Sequence, residues 1–180
     1  MNPQPRWQGI FPAVTTKFHA DESIDAEGTA RHIDFQIRNG IHGLVTCGSL
    51  GEASTLTLEE KLQVAKIALE AADGRVPVLA NVSETSTREA LRYIDGGNKL
   101  GVAGYMVMPS VIYVADAREA MANVRAMAHA DGEYQKRHQY RVWVQFIAQR
   151  RQQPQQPHHR HHRTQHHQQG AAQAAGVPEQ

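Results

Sequence analysis

Gly43-Leu-Val-Thr-Cys-Gly-Ser-Leu-Gly-Glu52 runs from a short apolar segment into a turn bracketed by two glycines. A helical pattern opens almost at once behind it. Thr57 to Ala72 reads T-L-E-E-K-L-Q-V-A-K-I-A-L-E-A-A, with Leu58, Leu62, Ala65 and Leu69 on one stripe and Glu59, Glu60, Lys66 and Glu70 facing out. Thr57 and Glu60 have the spacing of a capping box. Strand, glycine turn, helix is one βα unit.

Three further runs share the texture of residues 43–48: Gly9 to Thr16, Val76 to Val82 and Gly104 to Pro109. All are nearly continuous in apolar residues, as strands covered on both faces of a parallel sheet are. Helical stretches separate them. Asp25 to Arg38 sets Ala30, Ile33, Phe35 and Ile37 among polar residues, and Thr85 to Leu100 is the third helix. Asp116 to Ala130 carries Ala117, Met121, Val124, Met127 and Ala128 on one face. Gly40, Gly74 and Gly101 fall just past helix ends, where a left-handed residue favours glycine. The order is βαβαβαβα with a unit of roughly 30 residues. An open doubly wound sheet and half of a (β/α)8 barrel both fit that order. The first βα turn lacks G-x-G-x-x-G, which weighs against dinucleotide binding.

The chain has 180 residues, whereas a complete barrel takes ~250. Its formal charge of +1 points to neither a nucleic-acid binder nor an acid-rich tail. Cys47 is the one cysteine, so no internal disulfide is expected. No signal peptide is evident, and no apolar run approaches the ~20 residues that span a bilayer. A soluble cytoplasmic protein is the expectation. Composition changes near residue 131. Residues 7–130 read as the α/β domain and 131–151 as a segment of another kind, with an apolar cluster from Tyr140 to Ile147. Residues 152–180, rich in Gln, His and Arg, read as a disordered tail, because they cannot bury enough apolar surface to offset ordering entropy. The histidines from His158 to His167 have no fixed scaffold or cysteine partner, so no metal site is expected.

The Gly48-Ser49-Leu50-Gly51-Glu52 turn is the strongest chemical signal. Two glycines let backbone approach a ligand, successive N–H groups form an anion-binding nest, and Ser49 adds a hydroxyl. At the C-terminal end of a parallel strand this suits a small carboxylate. The plain alternative is a glycine-rich turn with no ligand.

Taken in order, F-P-A-V-T-T, G-L-V-T-C-G-S-L-G-E, T-L-T-L-E-E-K, V-P-V-L-A-N-V-S and G-Y-M-V-M-P resemble the dihydrodipicolinate synthase and N-acetylneuraminate lyase family from about Trp7 to Ala130. The resemblance implies a (β/α)8 barrel, of which this stretch is the N-terminal half. It also implies a homo-oligomer, and lyase or aldolase chemistry on pyruvate-like 2-oxo acids through a Schiff base to a lysine, with no cofactor. By motif, Ser49 and Leu50 match the pair that holds the keto-acid carboxylate, although Leu50 offers only its N–H. Thr15 and Thr16 match threonines lining the same pocket. After Pro109, where some relatives carry paired tyrosines, this chain has Ser110-Val111-Ile112-Tyr113, and Tyr113 reads as a locally packed loop aromatic.

The family's Y-N-x-P tyrosine motif and G-x-K-x-[ST] lysine motif do not occur. The lysines are Lys17, Lys61, Lys66, Lys99 and Lys136. Lys61, Lys66 and Lys99 are expected to be solvated on helices, and Lys17 is expected to be a solvated loop lysine, since nothing around it would depress its pKa. The expectation is a truncated or frameshifted lyase, changed near Asp131 and inactive alone. The alternative is a non-catalytic keto-acid-binding or assembly partner of a full-length relative. Half a barrel leaves strand edges open, so association or aggregation is expected.

Overall fold

The computed structural model describes residues 8–108 and 115–130, together with the backbone of a short strand at 143–144. Pro109, Ser110, Tyr113 and Lys136, the 131–151 segment apart from that strand, and the 152–180 tail lie outside the described residues.

Four helices and four strands alternate: α1 (Ala26–Arg38), β1 (Leu44–Thr46), α2 (Leu58–Ala72), β2 (Val78–Val82), α3 (Thr87–Leu100), β3 (Gly104–Val107), α4 (Ala117–Ala130) and β4 (Trp143–Val144). The strands are parallel and stand in sequence order, β1-β2-β3-β4. Consecutive helices touch, α1 with α2, α2 with α3 and α3 with α4, so they lie side by side on one face of the sheet. That arrangement separates the two architectures. A doubly wound sheet reverses its strand order and covers both faces with helices; among the described residues this one does neither.

The expected first strand, Gly9 to Thr16, is reduced to a single parallel bridge, Ala13 with Val45. It still runs beside β1: the Val14 N–H donates to the Val45 carbonyl at 3.0 Å and the Val45 N–H to the Pro12 carbonyl at 2.9 Å. Pro12 has no N–H to extend the ladder. The Ile10 N–H donates to the His42 ring instead.

Between sheet and helices lie two clusters of buried residues. Leu44, Val78, Ile33, Ala68, Ala72 and Val14 form one. Ala80, Val82, Tyr105 and Val107 meet Ala90, Tyr93, Ile94 and Met127 in the other. Each fully buried aliphatic contributes ~1.5–3 kcal/mol, so truncating Ile33 or Ile94, both at 1% exposure or less, damages the joint between helix and sheet.

Helix boundaries follow local chemistry. The Asp25 side chain accepts from the Gly28 N–H and starts α1, and Thr57 and Glu60 make both bonds of the capping box. Gly40, Gly74 and Gly101 have φ of 87°, 68° and 87°. Helix faces depart from the expected stripes. On α2 the buried face is Lys61, Val64, Ala65, Ile67, Ala68 and Ala72, with Leu58, Leu62 and Leu69 only partly covered. Phe35 on α1 and Met121 on α4 are 60% and 45% exposed, and Ala117 is exposed as well. Among the described residues no helix is long and apolar enough to cross a membrane.

Candidate carboxylate site at the end of the first full strand

Beyond Thr46 the backbone leaves the sheet through two left-handed residues, Cys47 at φ 53° and Glu52 at φ 60°. Between them Ser49 to Gly51 forms one tight turn, closed by Gly51 and Ala53 N–H bonds to the Gly48 carbonyl. Left-handed geometry costs a residue other than glycine on the order of 1–3 kcal/mol, so two in six residues mark backbone held against its preference. Gly51 is required by closeness: a Cβ there would sit 2.9 Å from the Val14 carbonyl oxygen. Gly48 is freer, its nearest neighbour being the Ala13 Cβ at 3.7 Å.

The loop leaves donors open. The Gly51, Glu52 and Ala53 N–H groups are bonded within it. The Ser49 and Leu50 N–H groups and the Ser49 hydroxyl have no partner among the described residues. Ser49 is exposed and the Leu50 side chain is 68% exposed, so only the N–H of Leu50 can serve a ligand. Two adjacent free N–H groups and a hydroxyl suit a carboxylate.

The other expected site residues divide. Thr16 is buried and donates its hydroxyl to the Gly51 carbonyl at 2.9 Å, which makes it a brace for the loop. Val14 packs among the helices, so alternation turns Thr15 to the opposite face of the sheet. Its buried hydroxyl has no partner among the described residues. Glu52 ends the loop, its carbonyl accepting from the Thr55 N–H and hydroxyl. Its exposed side chain adds negative charge at the rim and does nothing for an anion.

Two features went unforeseen. Asn81, 1% exposed on β2, donates its amide to the Cys47 carbonyl and the Ser83 hydroxyl, each at 3.0 Å. Its signal was a single polar residue inside V-L-A-N-V. Lys61, expected in solvent, is buried: its side chain is 8% exposed and its ammonium lies 2.7 Å from Glu84, itself 16% exposed. The Tyr93 ring stands 6.0 Å from the Lys61 ammonium. Lys66 and Lys99 are solvated as expected, at 64% and 74% exposure. Lys17 is half-buried, and its charge, after desolvation, helps lower the pKa of His32 on α1. The Cys47 thiol is pushed up to about 11 by burial, so it is not a reactive thiolate. Among the described residues no group of three or more His, Cys, Asp or Glu could hold a metal.

The model of the dihydrodipicolinate synthetase family matches residues 6–133. The chain belongs to that family. Across 104 residues it is 42% identical to a 4-hydroxy-tetrahydrodipicolinate synthase of Methanoculleus marisnigri, covering 57% of this chain and 36% of that protein. An N-acetylneuraminate lyase of Rhizobium meliloti is 36% identical over 121 residues, 67% of this chain and 40% of the lyase. The crystal structure of YagE, an E. coli K12 prophage protein of the same family in complex with pyruvate, superposes with a TM-score of 0.65 at 35% identity, over 69% of this chain and 42% of that one. The 4-hydroxy-tetrahydrodipicolinate synthase of Methylacidiphilum fumariolicum SolV gives 0.67 at 27% identity, over 69% and 41%. This dihydrodipicolinate synthetase family chain thus spans about two-fifths of the length of the relatives it matches, and its fold is the N-terminal half of their (β/α)8 barrel.

Proposed function

We propose that this chain holds the carboxylate of a small 2-oxo acid, pyruvate or a close analogue, in the Gly48–Glu52 loop, and forms no Schiff base of its own. The observation that carries the binding half is the pair of open Ser49 and Leu50 N–H groups beside the Ser49 hydroxyl. Their place at the C-terminal end of a parallel strand is where barrel enzymes bind ligands. A relative of this fold has been crystallised with pyruvate.

The non-covalent half is supported by where the described lysines lie. A Schiff-base lysine needs a neutral amine beside the substrate carbonyl. Lys61 is on a helix and paired with Glu84; Lys66 and Lys99 face solvent; Lys17 lies toward α1. The family match ends at residue 133, close to the change in composition. That supports a reading-frame change near Asp131, with the family's lysine and tyrosine motifs encoded in another frame. Translating the DNA beyond the Ala130 codon in all frames tests it.

Pyruvate titration of the full chain, followed by amide NMR, should give saturable shifts at Ser49 and Leu50. Borohydride added with pyruvate should leave the intact mass unchanged. Shifts absent from the loop would refute the binding site, and a stoichiometric adduct on any lysine would refute the non-covalent reading.

A further inference from the structure

The Cys47 carbonyl and the Gly48 N–H share one peptide plane, and that plane is the hinge between β1 and the carboxylate loop. Its carbonyl is held by Asn81. Ala80 and Val82 pack among the helices, so Asn81 points to the other face of the sheet. Its Nδ2 has two acceptors, the Cys47 carbonyl and the Ser83 hydroxyl, while Oδ1 has no partner among the described residues. Turning the amide over would set two oxygens, Oδ1 and the Cys47 carbonyl, against each other in a buried place, so the orientation is defined. A buried polar side chain left half unpaired is costly. Here the half that is paired holds a residue in left-handed geometry directly before the loop.

We propose that Asn81 is a positioning residue for the carboxylate loop: by holding the Cys47 carbonyl it sets the peptide plane from which the Ser49 and Leu50 N–H groups are aimed. This rests on the reading of that loop as a 2-oxo-acid site. In this role Asn81 acts through the Cys47 carbonyl.

Asn81→Asp tests it, because the new side chain has the same shape and exchanges a donor for an acceptor. Titrated with pyruvate at neutral pH and followed at the Ser49 and Leu50 amides, the variant should bind about tenfold to a hundredfold more weakly than wild type. Burial raises a carboxyl above its usual ~3.9. Once protonated, that carboxyl can donate to the Cys47 carbonyl, so binding should recover as pH falls through its pKa. Wild type should show no such recovery. Binding is compared only at pH values where the variant's far-UV circular dichroism matches wild type, because a charge buried beside two oxygen acceptors also destabilises the fold. Ser83→Ala is the second variant should the first fail to fold. It removes one of the two amide acceptors and should weaken binding roughly threefold. Wild-type binding with Asn81→Asp within twofold of it at neutral pH, or Ser83→Ala unchanged where the first variant does not fold, would overturn the positioning role and leave the site intact. A wild-type chain without pyruvate shifts would sink the site itself, and this role with it.

Discussion

Lys61→Met should be among the most destabilising single charge removals in this chain. The Lys61 ammonium lies 2.7 Å from Glu84, with side-chain exposures of 8% and 16%. The pair ties α2 to the turn after β2. Methionine fills much of the lysine's volume, so the loss reports the charge left behind. Breaking a buried pair from one side costs ~3–5 kcal/mol, whereas replacing both partners with apolar residues is often neutral. Glu84 retains some water contact, which places Lys61→Met near the lower figure, about 3 kcal/mol. Glu84→Gln should cost less, about 1–2 kcal/mol, because the amide oxygen still accepts from the ammonium. Lys61→Met with Glu84→Leu should lie close to wild type, well above Lys61→Met alone, because no charge is then left buried without its partner. In a domain of ~100 residues, 3 kcal/mol lowers Tm by on the order of 10–20 °C. Urea unfolding of the full chain and the three variants, followed by far-UV circular dichroism, reads this as midpoint shifts at constant m. A Lys61→Met cost below ~0.5 kcal/mol would show that the ammonium is solvated, as surface lysines usually are.

Burial raises the Cys47 thiol from 9.0 to about 11, so the folded state holds this proton more tightly than the unfolded chain. The contribution is therefore complete below pH 9 and lost as pH rises toward 11, by roughly 3 kcal/mol at the limit. Burial raises Tyr93 as well, with the same sign. Urea midpoints of wild type and Cys47→Ala across that range isolate the thiol, and parallel curves would count against it. Gly51→Ala drives a Cβ to 2.9 Å from the Val14 carbonyl oxygen, while the nearest atom to a Cβ at Gly48 is 3.7 Å away. Gly51→Ala should lose ~1–3 kcal/mol and pyruvate binding, with Gly48→Ala much milder; equal melting temperatures would refute the steric account. Light scattering behind size exclusion should find the full chain associated, because four βα units cannot close a barrel; a monomer would refute it.

Features decided within a few residues were legible in the sequence. Thr57 and Glu60 form the capping box their spacing indicates, and Gly101 takes the left-handed position its place after α3 calls for. Faces of helices were less legible, because a stripe of large apolar residues is only a proxy for what the sheet can accept. On α2 the sheet side needs small residues, Ala65, Ala68 and Ala72, so the leucines slide to the flanks. On α1 the inward place beside Ile33 goes to Thr29, whose hydroxyl accepts from the Lys17 N–H, and Phe35 is left outside. Gly97 stands in the last turn of α3. It is there because a Cβ would meet the Tyr105 hydroxyl at 2.5 Å, and that hydroxyl donates to the helix carbonyl of Ile94 at 2.8 Å.

The candidate site divides along the same line. Its two glycines and serine are contiguous, so the loop could be picked out from the chain alone. What holds the loop is not contiguous. Thr16 reaches Gly51 from 35 residues before it, and Asn81 reaches Cys47 from 34 residues after. Both braces act on backbone carbonyls, one at each end of the Gly48–Gly51 turn, and a carbonyl carries no mark of its role in the sequence. The loop's two left-handed residues are thereby held from two neighbouring strand positions, the first segment on one side and β2 on the other. Both braces lie within the first three strand positions of the barrel. Among the described residues, then, both braces come from the loop's own half of the barrel, and this is the physical ground for the proposed carboxylate site.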